Sequence, residues 1–61
     1  MTLVQQRLVN AYAILLLAER IKLEEIPATE VVLQNDVKST IRNESEIRKA
    51  ELEIERLTTQ Q

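Results

Sequence analysis

The sequence has 61 residues, contains no histidine, cysteine or glycine, and carries a formal net charge of −2 at pH 7. A chain of this length forms one domain at most, and such a domain buries only about 60% of the surface that its unfolded chain exposes. Disulfides and metal sites built from thiolate or imidazole ligands are excluded, so oligomerisation is the stabilising device that remains for so small a core.

The composition also argues against catalysis and against nucleic-acid binding. General acid or base chemistry most often uses histidine, and glycine-rich loops cradle phosphates, so the absence of both residue types removes two common kinds of active site. Acidic and basic residues are interspersed in the second half, and Tyr12 is the only aromatic residue. These features do not make a basic, base-stacking surface. We expect no enzyme activity, cofactor, metal, nucleic acid or small-molecule substrate.

The most apolar part of the sequence lies near its beginning. The longest uninterrupted apolar run, residues 11–18, is far shorter than the roughly 20 residues that cross a bilayer. No signal-peptide cleavage pattern follows it. We therefore expect no membrane span and a cytoplasmic location on synthesis, with association with a virion as a further possibility.

A first helix is predicted from about Leu3. Thr2 and Gln5 have the spacing of a capping box, in which each side chain accepts a hydrogen bond from the other residue's backbone N–H. Apolar residues follow at intervals of three or four and cover more than half of the helix circumference, which is typical of a core helix. The residues of this helix that we expect in the core are Leu8, Tyr12, Leu15 and Leu16.

Pro27 divides the two halves of the predicted core. Because a residue before proline disfavours the helical conformation, Ile26 should be extended and the first helix should end by residue 25. Thr29 is the candidate N-cap of a second helix, with Glu30 in its first turn. Two helices joined in this way can pack antiparallel, with Leu23 and Ile26 closing the open end.

The second helix is predicted to continue to the end of the chain in two parts. Its first part should pack on the first helix through Leu33, Val37 and Ile41, with a bend near Asn43. Its second part is expected to project outward, and its apolar residues have the heptad spacing of a coiled coil, which favours self-association. Packing back on the chain's own core and a frayed tail are the alternatives. The residues of this predicted interface are Ile47, Ala50, Ile54 and Leu57. The fold class expected is all-α: a helical hairpin over residues 1–41 with a charged, coiled-coil-like and oligomeric helical extension over residues 42–61.

Three segments resemble the short XkdX-like prophage proteins of Gram-positive hosts. They are Ala11–Leu17, Leu23–Pro27 and Val37–Ile41, so the resemblance covers roughly residues 9–41. The resemblance implies a gene in a phage tail cluster and a virion-associated or assembly role. It does not extend to residues 42–61. The family usually has glycine at the position of Glu19, so the first helix is expected to run on through Arg20.

These observations leave two main functional hypotheses. The first is a structural or assembly protein of a phage or phage-derived tail that self-associates, or docks on another helical protein, through the heptad residues. The second is a regulatory protein-binding module, antitoxin-like or anti-repressor-like, whose C-terminal segment folds on its partner. A peripheral membrane protein is a third and weaker hypothesis.

Overall fold

The computed structural model describes residues 1–59, which form two helices and a two-stranded antiparallel sheet. The helices are α1, Leu3–Leu17, and α2, Ile41–Thr59; the strands are β1, Glu30–Val32, and β2, Lys38–Thr40. Single 3-10 turns lie at Leu23–Glu25 and Gln34–Asp36. The prediction of a mainly helical fold with two packed helices is confirmed, whereas the sheet was not expected.

Helix α1 begins as the sequence predicts. The backbone N–H of Gln5 donates to Thr2 Oγ1 at 3.1 Å, and the Thr2 N–H donates to Gln5 Oε1 at 3.0 Å. This capping box satisfies the N–H of the third helical residue, which has no partner within the helix. The predicted capping box and the predicted start at Leu3 are confirmed.

Helix α1 ends at Leu17, so the expected continuation through Arg20 is wrong. Glu19 has a φ of 58°, in the left-handed region. The backbone N–H groups of Glu19 and Arg20 donate to the carbonyls of Leu16 and Leu15 at 3.0 and 2.9 Å. This pair of bonds is the Schellman motif, which satisfies the last carbonyls of a helix and turns the chain away from its axis. The motif forms here without glycine.

The predicted second helix from Thr29 is wrong, because residues 30–40 form a β-hairpin. Consecutive β-branched residues, Val31 and Val32, favour an extended strand. Asn35 and Asp36 follow with φ angles of 64° and 59°, which no right-handed helix accommodates, and these residue types tolerate the left-handed region better than most. The strand pairs are Glu30 with Thr40, Val31 with Ser39, and Val32 with Lys38.

Helix α2 is continuous from Ile41 to Thr59, so the bend predicted near Asn43 is wrong. The polar residues that suggested the bend instead mark the start of the helix. The Asn43 N–H donates to Thr40 Oγ1 at 3.0 Å, and the Ser39 hydroxyl donates to Glu44 Oε2 at 2.8 Å. Thr40 is thus placed as an N-cap, which satisfies an N–H of the first turn.

The core lies where α1, the connecting loop, the hairpin and the start of α2 meet. Its buried apolar cluster consists of Val9, Leu16, Ile26, Val31 and Ile41. Ile26 is extended, as predicted from the proline that follows it, with φ −84° and ψ 128°. Tyr12 and Leu33, which we expected in the core, are partly buried against this cluster.

Five of the other residues expected in the core are exposed instead. They are Leu8, Leu15, Leu23, Pro27 and Val37. On α1 the cause is the choice of face: the helix turns Val9, Ala13 and Leu16 inward, so an apolar stripe on its other side remains outside. Val37 is exposed because it lies beside the turn of the hairpin and not on a helix.

Candidate interaction surface

Helices α1 and α2 pack side by side and run in the same direction, so the predictions of antiparallel packing and of a C-terminal part that projects outward are both wrong. Arg48 Nε donates to Asn10 Oδ1 at 3.2 Å, near the middle of both helices. Further along both helices, Leu17 and Leu57 line the same depression. The hairpin and its flanking loops return the chain to the start of the pair, so that α2 lies alongside α1.

The inward face of α2 is made of residues that pack on the core and on α1. Ile41 and Ser45 are buried, and Leu52, further along the same face of the helix, is half-buried. The Ser45 hydroxyl donates to the Ile41 carbonyl at 2.7 Å, which satisfies the hydroxyl within its own helix. The face of α2 that carries Ile41, Ser45 and Leu52 therefore packs within the chain.

The face of α2 that is turned away from Ile41 and Ser45 carries all four residues of the predicted interface, and two of them, Ile47 and Leu57, also line depressions shared with α1. We call this set the α2 seam: Ile47, Ala50, Ile54 and Leu57, all exposed. Ile54 and Leu57 expose 64% and 65% of their surface. Their spacing of three and four residues places them on one side of the helix, away from Ile41 and Ser45. The seam is an apolar surface that the fold of the single chain leaves uncovered.

Charged side chains border the α2 seam. Glu46 and Glu53 lie along one edge and Glu51 along the other, and all three are exposed. Two basic residues of this region, Arg48 and Lys49, lie closer to α1 and pair with border carboxylates: Arg48 with Glu51 at 3.1 Å and Lys49 with Glu53 at 3.5 Å. Such surface pairs contribute about 1 kcal/mol at most, and they offset part of the negative charge that Glu51 and Glu53 place beside the apolar strip.

Helix α1 carries a second exposed apolar surface, which includes Leu8 and Leu15, two residues that were expected in the core. We call it the outer stripe: Val4, Leu8, Ala11 and Leu15, all exposed. Val4 exposes 75% of its surface and Leu8 41%. A second apolar series on α1, formed by Val9, Ala13 and Leu16, has similar spacing. Its small residue, Ala13, suits close packing of two helices, and this feature could have indicated which face turns inward. Periodicity alone did not decide which series faced inward.

The described residues offer little else that could hold a ligand. A groove of about 280 Å³ between the helices is lined by residues such as Val9, Asn10, Ile47 and Arg48, and it is open to solvent. Within residues 1–59, no group of three acidic side chains lies close enough to hold a metal ion. Nor is any helix in this part of the chain long and apolar enough to cross a membrane.

Comparison with known proteins does not assign the chain to a family. No family model matches it, and neither the curated proteins nor the solved structures provide a match. The resemblance of residues 9–41 to XkdX-like proteins therefore stays a prediction. The two apolar surfaces are the features of this chain that bear on its function.

Proposed function

We propose that the protein is a small structural or assembly protein that acts by helix–helix association through the α2 seam. The observation that carries the proposal is the exposure of four apolar residues in heptad spacing on one face of a 19-residue helix. The other face of that helix packs within the chain, so the seam is available to a second helix. The partner is another copy of the chain or another helical protein.

Burial of the seam residues against a partner is energetically favourable. Fully burying an Ile or Leu side chain contributes about 1.5–3 kcal/mol relative to leaving it in water. The seam offers three such side chains, Ile47, Ile54 and Leu57, and Ala50 between them allows a close approach of a partner backbone. These three side chains expose between 47% and 65% of their surface, so about half of that contribution remains to be gained. This gain must also offset the translational and rotational freedom that the chains lose on association.

The resemblance of residues 9–41 suggests the setting of this assembly, a phage or phage-derived tail. In that setting a short chain would contribute a repeated helical contact rather than a chemical activity. The location of the gene beside tail genes would support this part of the proposal, and a different gene neighbourhood would count against it without affecting the α2 seam.

The substitution Ile54→Asp tests the proposal directly. It places a charge in the middle of the seam, so the mass measured by light scattering should fall from that of an oligomer toward that of the monomer. Val37→Asp is the matched control, because Val37 is an apolar residue exposed to 54% beside the hairpin turn, away from the seam. The control should keep the wild-type mass. Equal masses for wild type and Ile54→Asp would overturn the role of the seam.

The regulatory alternative is favoured by the acidic border of the seam, formed by Glu46, Glu51 and Glu53. A partner protein with an apolar groove between basic rims would match that border in charge. If α2 folded only on such a partner, circular dichroism of the isolated chain would show the helical content of α1 alone. Full helicity in an oligomer of one chain type favours the assembly function instead.

A further inference from the structure

The outer stripe of α1 has the geometry of a second coiled-coil surface. Its four residues are separated by four, three and four positions, which is the alternation of a heptad seam. Val4 and Leu15 are about 17 Å apart along the helix axis, and Ile47 and Leu57 of the α2 seam about 15 Å. The two apolar surfaces therefore match in length as well as in spacing.

The charges beside the α2 seam disfavour the pairing of two identical seams. In a coiled coil the positions that flank the apolar residues face their counterparts on the partner helix. On α2 these positions are held by Glu46, Glu51, Glu53 and Thr58. Two α2 seams would thus bring carboxylates against carboxylates in either helix direction, and facing like charges destabilise a helix pair.

The flanking positions of the outer stripe have a different character. They are held by Gln5, Arg7, Tyr12 and Ile14, which include one base and no acid. Pairing the outer stripe with an α2 seam removes the contact between carboxylates and brings a guanidinium close to an acidic border. The charge distribution favours a contact between unlike surfaces.

We infer that the outer stripe of one copy binds the α2 seam of the next copy, so that the chain assembles head to tail. This inference rests on the proposed self-association and adds its direction. A contact between two different surfaces leaves one of each free at the ends of every open assembly. Such assemblies close into rings when the rotation between neighbours permits and otherwise grow into filaments.

A mixing experiment tests the head-to-tail arrangement. Leu8→Asp disables the outer stripe and keeps the α2 seam, whereas Ile54→Asp disables the seam and keeps the stripe. Each variant alone should sediment as a monomer at a concentration where the wild-type chain is oligomeric. A mixture of equal amounts should form a species of two chains and nothing larger, because only one intact stripe can meet one intact seam.

Two controls guard against misfolding. Circular dichroism should show wild-type helicity for both variants. Val4→Asp offers a second substitution in the stripe, because Val4 is highly exposed and an acidic residue in the first turn interacts favourably with the helix dipole. It should also weaken self-association, and it should form the two-chain species with Ile54→Asp.

The alternative results separate the inference from the proposed function. If Leu8→Asp and Val4→Asp keep the wild-type mass while Ile54→Asp is monomeric, two seams pair with each other, and only the head-to-tail inference is overturned. If Ile54→Asp keeps the wild-type mass and Leu8→Asp is monomeric, two outer stripes pair, and both proposals are overturned. A monomeric wild-type chain at millimolar concentration overturns the head-to-tail inference and the self-association form of the proposed function, so that only docking on another helical protein is left.

Discussion

Glu19 is the residue whose backbone departs most clearly from what its type prefers. A side chain with a β-carbon in the left-handed region costs roughly 1–2 kcal/mol relative to the right-handed helical conformation. Glu19 nevertheless adopts a φ of 58° at the end of α1, because the two Schellman hydrogen bonds and the burial of Ile26 downstream require the chain to turn there. The surrounding structure therefore holds Glu19 in the left-handed conformation at a steric cost.

Replacing Glu19 with glycine should therefore stabilise the protein. We expect Glu19→Gly to raise the free energy of unfolding by about 0.5–1 kcal/mol, since glycine adopts the left-handed conformation without steric cost and the gain is reduced by its greater chain entropy. Thermal unfolding should then show a midpoint higher by about 2–8 °C. Glu19→Ala is the control: it removes the carboxylate, keeps the β-carbon and should give no such gain. Equal midpoints for the two variants would contradict the explanation.

The residue scale also shows what could be predicted from the sequence. The capping box of Thr2 and Gln5 was predictable because it is a local pattern with a fixed spacing. The extended conformation of Ile26 was predictable for a similar reason, since Pro27 restricts it sterically. The left-handed conformation of Glu19 was not, because it depends on where the chain has to go next and its side chain gives no sign of it.

At the scale of elements, the main difference from the sequence prediction is the hairpin. Its strands have three residues each, too short for an alternating pattern to appear, and its turn uses Asn35 and Asp36 without glycine. Val31 and Val32 gave the only strand signal. Leu33, Val37 and Ile41 have the spacing of a helical stripe. This pattern predicted a helix where the strands form. Helix α2 was better predicted, because its long heptad series does not depend on distant contacts.

Arg42 ties α2 to the loop that precedes the hairpin. Its Nε donates to the Ile26 carbonyl at 2.9 Å, and a terminal nitrogen donates to the Glu24 carbonyl at 3.3 Å. The two bonds hold the first turn of α2 over the buried Ile26. They span 16 and 18 residues of sequence, so they connect elements that no local interaction would bring together.

The substitution Arg42→Lys should lose most of this connection. A lysine keeps the charge, but its single ammonium group does not reproduce the fork that reaches two carbonyls. We expect a loss of about 1–2 kcal/mol in the free energy of unfolding, similar to that of Arg42→Ala, given the usual net contribution of hydrogen bonds from charged donors. Urea unfolding would measure it as a lower midpoint with an unchanged slope. If Arg42→Lys were as stable as the wild-type protein, a positive charge alone would account for the contribution of Arg42 to stability, and the two hydrogen bonds would not be needed.

At the scale of the whole molecule, the chain is a thin body of 37 × 25 × 16 Å. Two helices and a short hairpin enclose one small core between them, and within residues 1–59 no further element covers the outer faces of the helices. This explains why the outer stripe and the α2 seam are both exposed. The exposed residues of the seam were predictable from heptad spacing, whereas those of the stripe were not, because either face of α1 could have formed the core.

The proposed association should make stability depend on protein concentration. An assembly of folded chains stabilises the folded state by mass action, so the thermal midpoint of the wild-type protein should rise as its concentration rises. The midpoint of Ile54→Asp should not change over the same range, and Val37→Asp should behave like wild type. Differential scanning calorimetry over a hundredfold range of concentration would measure this. A constant wild-type midpoint would indicate that the chain is stable without a partner.

The left-handed residue at the end of α1 has a consequence for how the protein can change over generations. Both codons for glutamate differ by a single base from a codon for glycine, so the more stable variant lies one point mutation away from Glu19. Selection maintains proteins just above the stability they need and does not drive them to an optimum. If assembly already makes the folded chain stable enough, a mutation from glutamate to glycine brings no selective advantage. Glutamate then persists at a position where the backbone conformation alone would favour glycine.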